Sequence, residues 1–204
     1  MLKTTLGAAL VLTALAAFAQ TSPTAYIGAK ILPITGDPIE NGVLVVQDGK
    51  ILAVGPATQT AIPTGATQID VSGKVLMPGL VDSHSHIGGW PGFSADNSEP
   101  IQPEMRALDG IDSRDATIQR AQAGGITTAN LMPGSGHLIS GQTVYAKLRD
   151  VGSVDEMFIT LPDGRMAGGV KMANGTNPIK QASYAKFPGT RAKSAALVRE
   201  AFVA

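Results

Sequence analysis

Met77-Pro78-Gly79-Leu80-Val81-Asp82-Ser83-His84-Ser85-His86 constrains this chain more than any other segment, because it reads as a strand carrying two imidazoles on one face. Pro78-Gly79 marks its start and Gly88-Gly89 its end, and these residue types are the strongest local interrupters of regular structure. Side chains two apart on a strand share a face, so His84 and His86 point the same way. Neutral imidazole is the commonest protein ligand for zinc-like ions. Two partly buried histidines that satisfy local hydrogen bonds would explain a bare His-x-His equally well, so the surrounding sequence has to decide.

The residues before and after this strand are patterned differently. From Ala25 to about Val75, short strands alternate with turns. Residues 42–46 and 50–54 flank a Gln47-Asp48-Gly49 corner, and 67–71 is set off by Pro63, Gly65 and Gly73. Asp-Gly between two such runs is a hairpin signal. No titratable cluster falls here, so 20–76 reads as a scaffold domain. After His86 the period lengthens. A loop over 88–103 precedes a helix over 114–123, with Ser113 as its expected N-cap and Gly124-Gly125 as its stop. Residues 126–132 read as a buried strand with a turn at Pro133-Gly134. Residues 155–161 and 169–173 read as two further strands, and Thr190 as the cap of a helix over 191–203. Residues 141–152 carry no assignable pattern. Strand–helix alternation over 77–204 predicts βα units on a parallel sheet.

Residues 1–19 stand apart from the fold. Lys3 is followed by an apolar run from Leu6 to Ala16 and by Ala17-Phe18-Ala19. That is the pattern of a signal peptide whose removal leaves a mature chain starting near Gln20. The expected location is therefore periplasmic or secreted. The run is shorter than the roughly 20 residues of a membrane span, so no stable membrane anchor is expected. The chain has no cysteine, which rules out a disulfide framework. Its core, a metal, or association into a homo-oligomer must then stabilise it.

Charge and motif content narrow the chemistry. Sixteen basic and sixteen acidic residues balance with no basic run or stripe, so nucleic acid is excluded as a partner. A hydrophobic content of 44% with 24 glycines and 13 prolines suits a loop-rich α/β chain. The glycines around Ser135 are followed by no Gly-Lys-Ser/Thr, so they make no phosphate cradle. Gly-x-Ser-x-Gly is absent and cysteine catalysis is impossible. Any hydrolysis here would have to be metal-assisted.

The 77–86 segment resembles the amidohydrolase superfamily, metal-dependent hydrolases whose first barrel strand ends in Pro-Gly, two apolar residues, and Asp-x-His-x-His. Val71-Ser72-Gly73-Lys74-Val75-Leu76 is similar to that family's link from a small β domain into the barrel. Gly125-Ile126-Thr127-Thr128 and Asn130-Leu131-Met132-Pro133-Gly134 extend the likeness over most of the chain after about Ala25. The resemblance implies an α/β architecture, with a small N-terminal β-sandwich over 20–76 and the first part of a (β/α)8 barrel over 77–204. It also implies a divalent metal, zinc first, as one or two ions held by His84 and His86. A metal-activated water would hydrolyse a carbon–nitrogen bond in a small-molecule or peptide substrate. The nearest-looking branch is imidazolonepropionase-like or secreted dipeptidase-like.

Relatives of this kind add a bridging carboxylated lysine on the fourth strand, histidines on the fifth and sixth, and an aspartate on the eighth. Lys171 stands in Gly168-Gly169-Val170-Lys171-Met172, at the end of what counts as the fourth strand. It is the one residue able to supply the bridge, in both a metal-holding and a catalytic role; an ordinary surface lysine is the alternative. His137, in the loop after the second barrel strand, is either a substrate contact or a loop residue without a specific role. Asp82 shares the histidine face and either orients a ligand or braces the barrel base. Asp96, Asp109, Asp112 and Asp115 read as loop and cap residues.

A full barrel takes about 250 residues, roughly twice the stretch from Met77 to Ala204, and no histidine follows His137. The expectation is an incomplete barrel. Three functional readings follow: an exported metal-dependent amidohydrolase, an inactive metal-binding remnant of one, and a secreted β-rich binding module. Retention of a divalent metal separates the first two from the third, and hydrolytic activity separates the first from the second.

Overall fold

The computed structural model describes residues 22–89, 96, 98–180 and 186–203. The expected signal peptide and part of the loop after the His-x-His strand lie outside these residues. The chain divides into two compact units, one ending at Pro78 and one beginning at Gly79.

The first unit is a five-stranded mixed sheet. β1 (Thr24–Ile31) is central, antiparallel to β2 (Ile39–Gln47), which is antiparallel to β3 (Lys50–Pro56). The other edge of β1 is shared by β4 (Thr67–Asp70) and β5 (Val75–Leu76), both parallel to it. The β2–β3 hairpin turns on Asp48 and Gly49, with φ of 49° and 72°. Two successive left-handed residues are what a tight twisted hairpin demands, and Asp-Gly meets that demand at low cost. Register places Ala25 opposite Val45 and Ile27 opposite Val43. These residues, with Ala53 and Ile62, form one apolar face. The expected sandwich needs two facing sheets, whereas the described residues of this unit form one.

The second unit begins with β6 (Leu80–Ser85) and continues through α1 (Ala116–Ala123) to β7 (Ile126–Leu131), which pairs parallel to β6. This is the βα unit that the pattern predicted. α1 buries Ile118 against a core of Ala129, Leu131, Val144, Ala146 and Met157. Its N-cap is Asp115, not Ser113. The Asp115 carboxylate accepts from Thr117 N at 2.7 Å and from the Thr117 hydroxyl, whereas Ser113 sits too early in the chain to reach that turn. Gly124 and Gly125 end the helix as expected; Gly124 N bonds back to Arg120 O and Ala121 O.

Beyond β7 the parallel expectation fails. β9 (Val144–Lys147) is antiparallel to β7. β8 (Ile139–Gln142) pairs antiparallel with β10 (Val170–Met172) in a separate two-stranded sheet. The strand carrying Lys171 is therefore an antiparallel partner of β8 and not a fourth parallel strand. Residues 155–161 form no continuous strand. A 3-10 turn at Val154–Glu156 gives way to single bridges at Phe158 and Thr160. α2 (Thr176–Lys180) and α3 (Arg191–Val203) complete the described elements, and Lys193 N bonds to Thr190 Oγ1 as expected of a cap. No helix among the described residues is long and apolar enough to cross a membrane.

Candidate metal centre

Strand alternation brings the two histidines together. The His84 and His86 rings meet edge-on, centroids 5.1 Å apart and planes at 85°, with their Nε2 atoms 3.3 Å apart. Ser85, between them, points the opposite way and is buried. The backbone is pinned on both sides: Asp82 Oδ1 accepts from His84 N at 3.0 Å, and Ser85 O accepts from Met132 N at 3.0 Å. Asp82 thus orients the strand that carries the rings.

Lys171 joins this pair from β10. Its Nζ lies 3.0 Å from His84 Nε2 and 3.5 Å from Met132 Sδ. Partial burial pulls the Lys171 amine below the ordinary lysine value, because leaving water penalises the charged form. His84 is pulled below the ordinary histidine value, first by the Lys171 charge, then by burial and by His86, with Asp82 opposing.

The proton count around these nitrogens is informative. His86 Nδ1 is 2.8 Å from Met132 O, and a carbonyl only accepts, so Nδ1 carries the proton and Nε2 keeps a lone pair. His84 Nε2 faces both that lone pair and the Lys171 amine. One proton cannot lie on both lines. If Lys171 donates to His84, two imidazole lone pairs confront each other across 3.3 Å, an arrangement that an intervening cation relieves. Two zinc–nitrogen bonds of about 2.0–2.1 Å at a tetrahedral angle hold their nitrogens about 3.3 Å apart. The donors therefore fit a tetrahedral ion. Among the described residues, no cluster of three His, Cys, Asp or Glu side chains surrounds the site.

His137 does not join this group. Its ring is fully buried, tilted against Phe187 at a centroid distance of 5.6 Å, and among the described residues neither nitrogen is hydrogen-bonded. Burial lowers its pKa, with Asp96 opposing. The aspartates serve as expected: Asp109 pairs with Arg106, Asp96 and Asp112 accept from backbone N–H groups two residues on, and Asp115 caps α1. Sequence reasoning missed Met132, which touches both His86 and Lys171. The signal available was its position at the end of the second strand, directly before a proline.

No protein-family model matches the chain. Curated relatives do. An amidohydrolase, tasK, from Hapsidospora irregularis is 33% identical over 116 residues, covering 53% of this chain and 11% of that protein. An imidazolonepropionase from Micrococcus luteus is 30% identical over 156 residues, covering 65% of this chain and 38% of that protein. Among solved structures, an amidohydrolase from Thermotoga maritima superposes with a TM-score of 0.77 at 33% identity, covering 88% of this chain and 46% of that one. The chain thus spans less than half the length of each of these proteins. In sequence and in fold, then, this chain is similar to members of the amidohydrolase superfamily.

Proposed function

We propose that this chain carries part of the metal centre of an exported hydrolase that cleaves carbon–nitrogen bonds in small cyclic amides or peptides. The observation that carries the reading is the 3.3 Å convergence of His84 Nε2 and His86 Nε2 beside Lys171. A divalent ion there, zinc first, supplies a Lewis acid able to bring the pKa of a water to about 7. His84 and His86 hold the ion, while Asp82 and Met132 keep the two rings aimed. Lys171, in its neutral form, can add through its amine nitrogen to carbon dioxide, releasing a proton to solvent. The resulting carbamate has two oxygens available to metal. The cyclic-amide substrate class is supported by the likeness to an imidazolonepropionase.

The finer architecture belongs to the same reading. The parallel β6–α1–β7 unit suits the opening of a (β/α)8 barrel. Leu80 and Val81 on β6, exposed at 51% and 64%, suit a strand with further neighbours. Exposed Ile51, Leu52 and Val54 on β3 suit a second sheet closing a sandwich. Export through 1–19 would leave a mature N-terminus near Gln20, which N-terminal sequencing of the extracytoplasmic fraction would read directly.

Zinc analysis of the purified protein tests the metal assignment. The wild type should retain zinc, and His84→Ala and His86→Ala should each lose it. Equal zinc content in all three would reject the assignment.

A further inference from the structure

We propose that Met132-Pro133 is a positioning element that fixes the tautomer and ring direction of His86 before any metal arrives. Met132 brackets His86 with both of its peptide groups. Its N–H donates to Ser85 O at 3.0 Å, one residue before the histidine, and its carbonyl accepts from His86 Nδ1 at 2.8 Å. The first bond holds the strand at that point, and the second holds the ring. A free neutral imidazole exchanges between two tautomers, only one of which leaves Nε2 able to bind a cation. The Met132 carbonyl selects that tautomer, with the ring turned so that its Nε2 faces His84 Nε2.

Pro133 aims the carbonyl. A proline clashes with a helical conformation of the residue before it and restricts that residue to extended geometry. Pro133 is itself fully buried and Met132 is 7% exposed, so this conformation is enclosed on both sides. The Met132 side chain points toward Lys171 while its carbonyl serves His86. Carbonyl and thioether roles can therefore be separated by substitution.

The effect on metal affinity rests on the proposed function, whereas the tautomer does not. The test is a long-range proton–nitrogen NMR correlation on the nitrogen-15-labelled, chelator-treated 204-residue chain at about pH 8, above the ordinary imidazole range. The expected result is a single His86 tautomer protonated at Nδ1. An Nε2-protonated ring, or an average of the two tautomers, would overturn the proposal even if no variant folds.

Met132→Leu keeps the carbonyl and should keep the tautomer. Pro133→Ala frees the carbonyl; it should give mixed tautomers and bind zinc about 10–100-fold more weakly. An unchanged tautomer in folded Pro133→Ala would remove Pro133 from the mechanism. Zinc failing to bind a wild type that shows the expected tautomer would reject the metal reading and leave the positioning intact.

Discussion

Lys171 Nζ lies 3.0 Å from His84 Nε2, joining two residues 87 positions apart in the chain. The contact sets a cationic amine against a candidate metal ligand, so the state of the lysine must govern how readily an ion enters. A protonated Lys171 opposes a cation beside His84. A neutral or carboxylated Lys171 does not.

Lys171→Met should therefore bind zinc more tightly than wild type in carbon-dioxide-free buffer near neutral pH, on the order of tenfold for removal of one adjacent charge. Added bicarbonate should strengthen zinc binding in the wild type alone. Competition against a chromogenic chelator measures both effects. Equal affinities with no bicarbonate response would make Lys171 a bystander.

His137 should make stability fall in acid. Its folded pKa is lowered by burial, whereas the unfolded chain has the ordinary value of about 6.5. Between those two values the unfolded state binds more protons than the folded state. The stability is fully present above about pH 6.5 and is lost as pH falls toward the folded pKa, at up to about 1.4 kcal/mol per pH unit. His137→Leu should flatten that slope. At neutral pH it should also spare about 1–3 kcal/mol of desolvation cost, because neither ring nitrogen has a partner among the described residues. Urea unfolding across a pH series measures both.

Asp115→Ala should cost about 1 kcal/mol through loss of the cap on α1, and Ser113→Ala close to nothing. The comparison uses urea unfolding at neutral pH. Equal costs would mean that the cap geometry is not what stabilises this helix start.

Gly79→Ala should destabilise the second unit by about 1–3 kcal/mol. A Cβ at Gly79 would lie 2.1 Å from Thr127 Cγ2 and 2.3 Å from its Oγ1, at the point where Leu80 N bonds to Gly125 O. The glycine of the Pro78-Gly79 pair is thus needed for close approach of β6 to the second parallel strand. Thr127→Ala in the Gly79→Ala background should recover part of the loss, because it removes two of the three colliding atoms. Thermal unfolding of the single and double variants supplies the check.

What the sequence by itself determined is local. The Asp48-Gly49 hairpin, the glycine stop of α1, the Thr190 cap and the shared face of His84 and His86 follow from φ preferences and from the two-residue period of a strand. These act over a few bonds and are written in neighbouring residues. Serine at 113 suits a cap, yet Asp115 stands closer to the first helical N–H groups. Such boundary choices turn on one or two residues.

Only the tertiary structure decided which distant residues meet. Lys171 reaches His84 from an antiparallel strand pair that strand–helix alternation did not foretell, because pairing direction depends on connections and not on the residues of one strand. The packing that buries His137 against Phe187 was not written in its loop position either. Met132 became part of the site through its carbonyl, a group every residue carries. No side-chain motif can announce such a contact, and it arises only where two strands align in register.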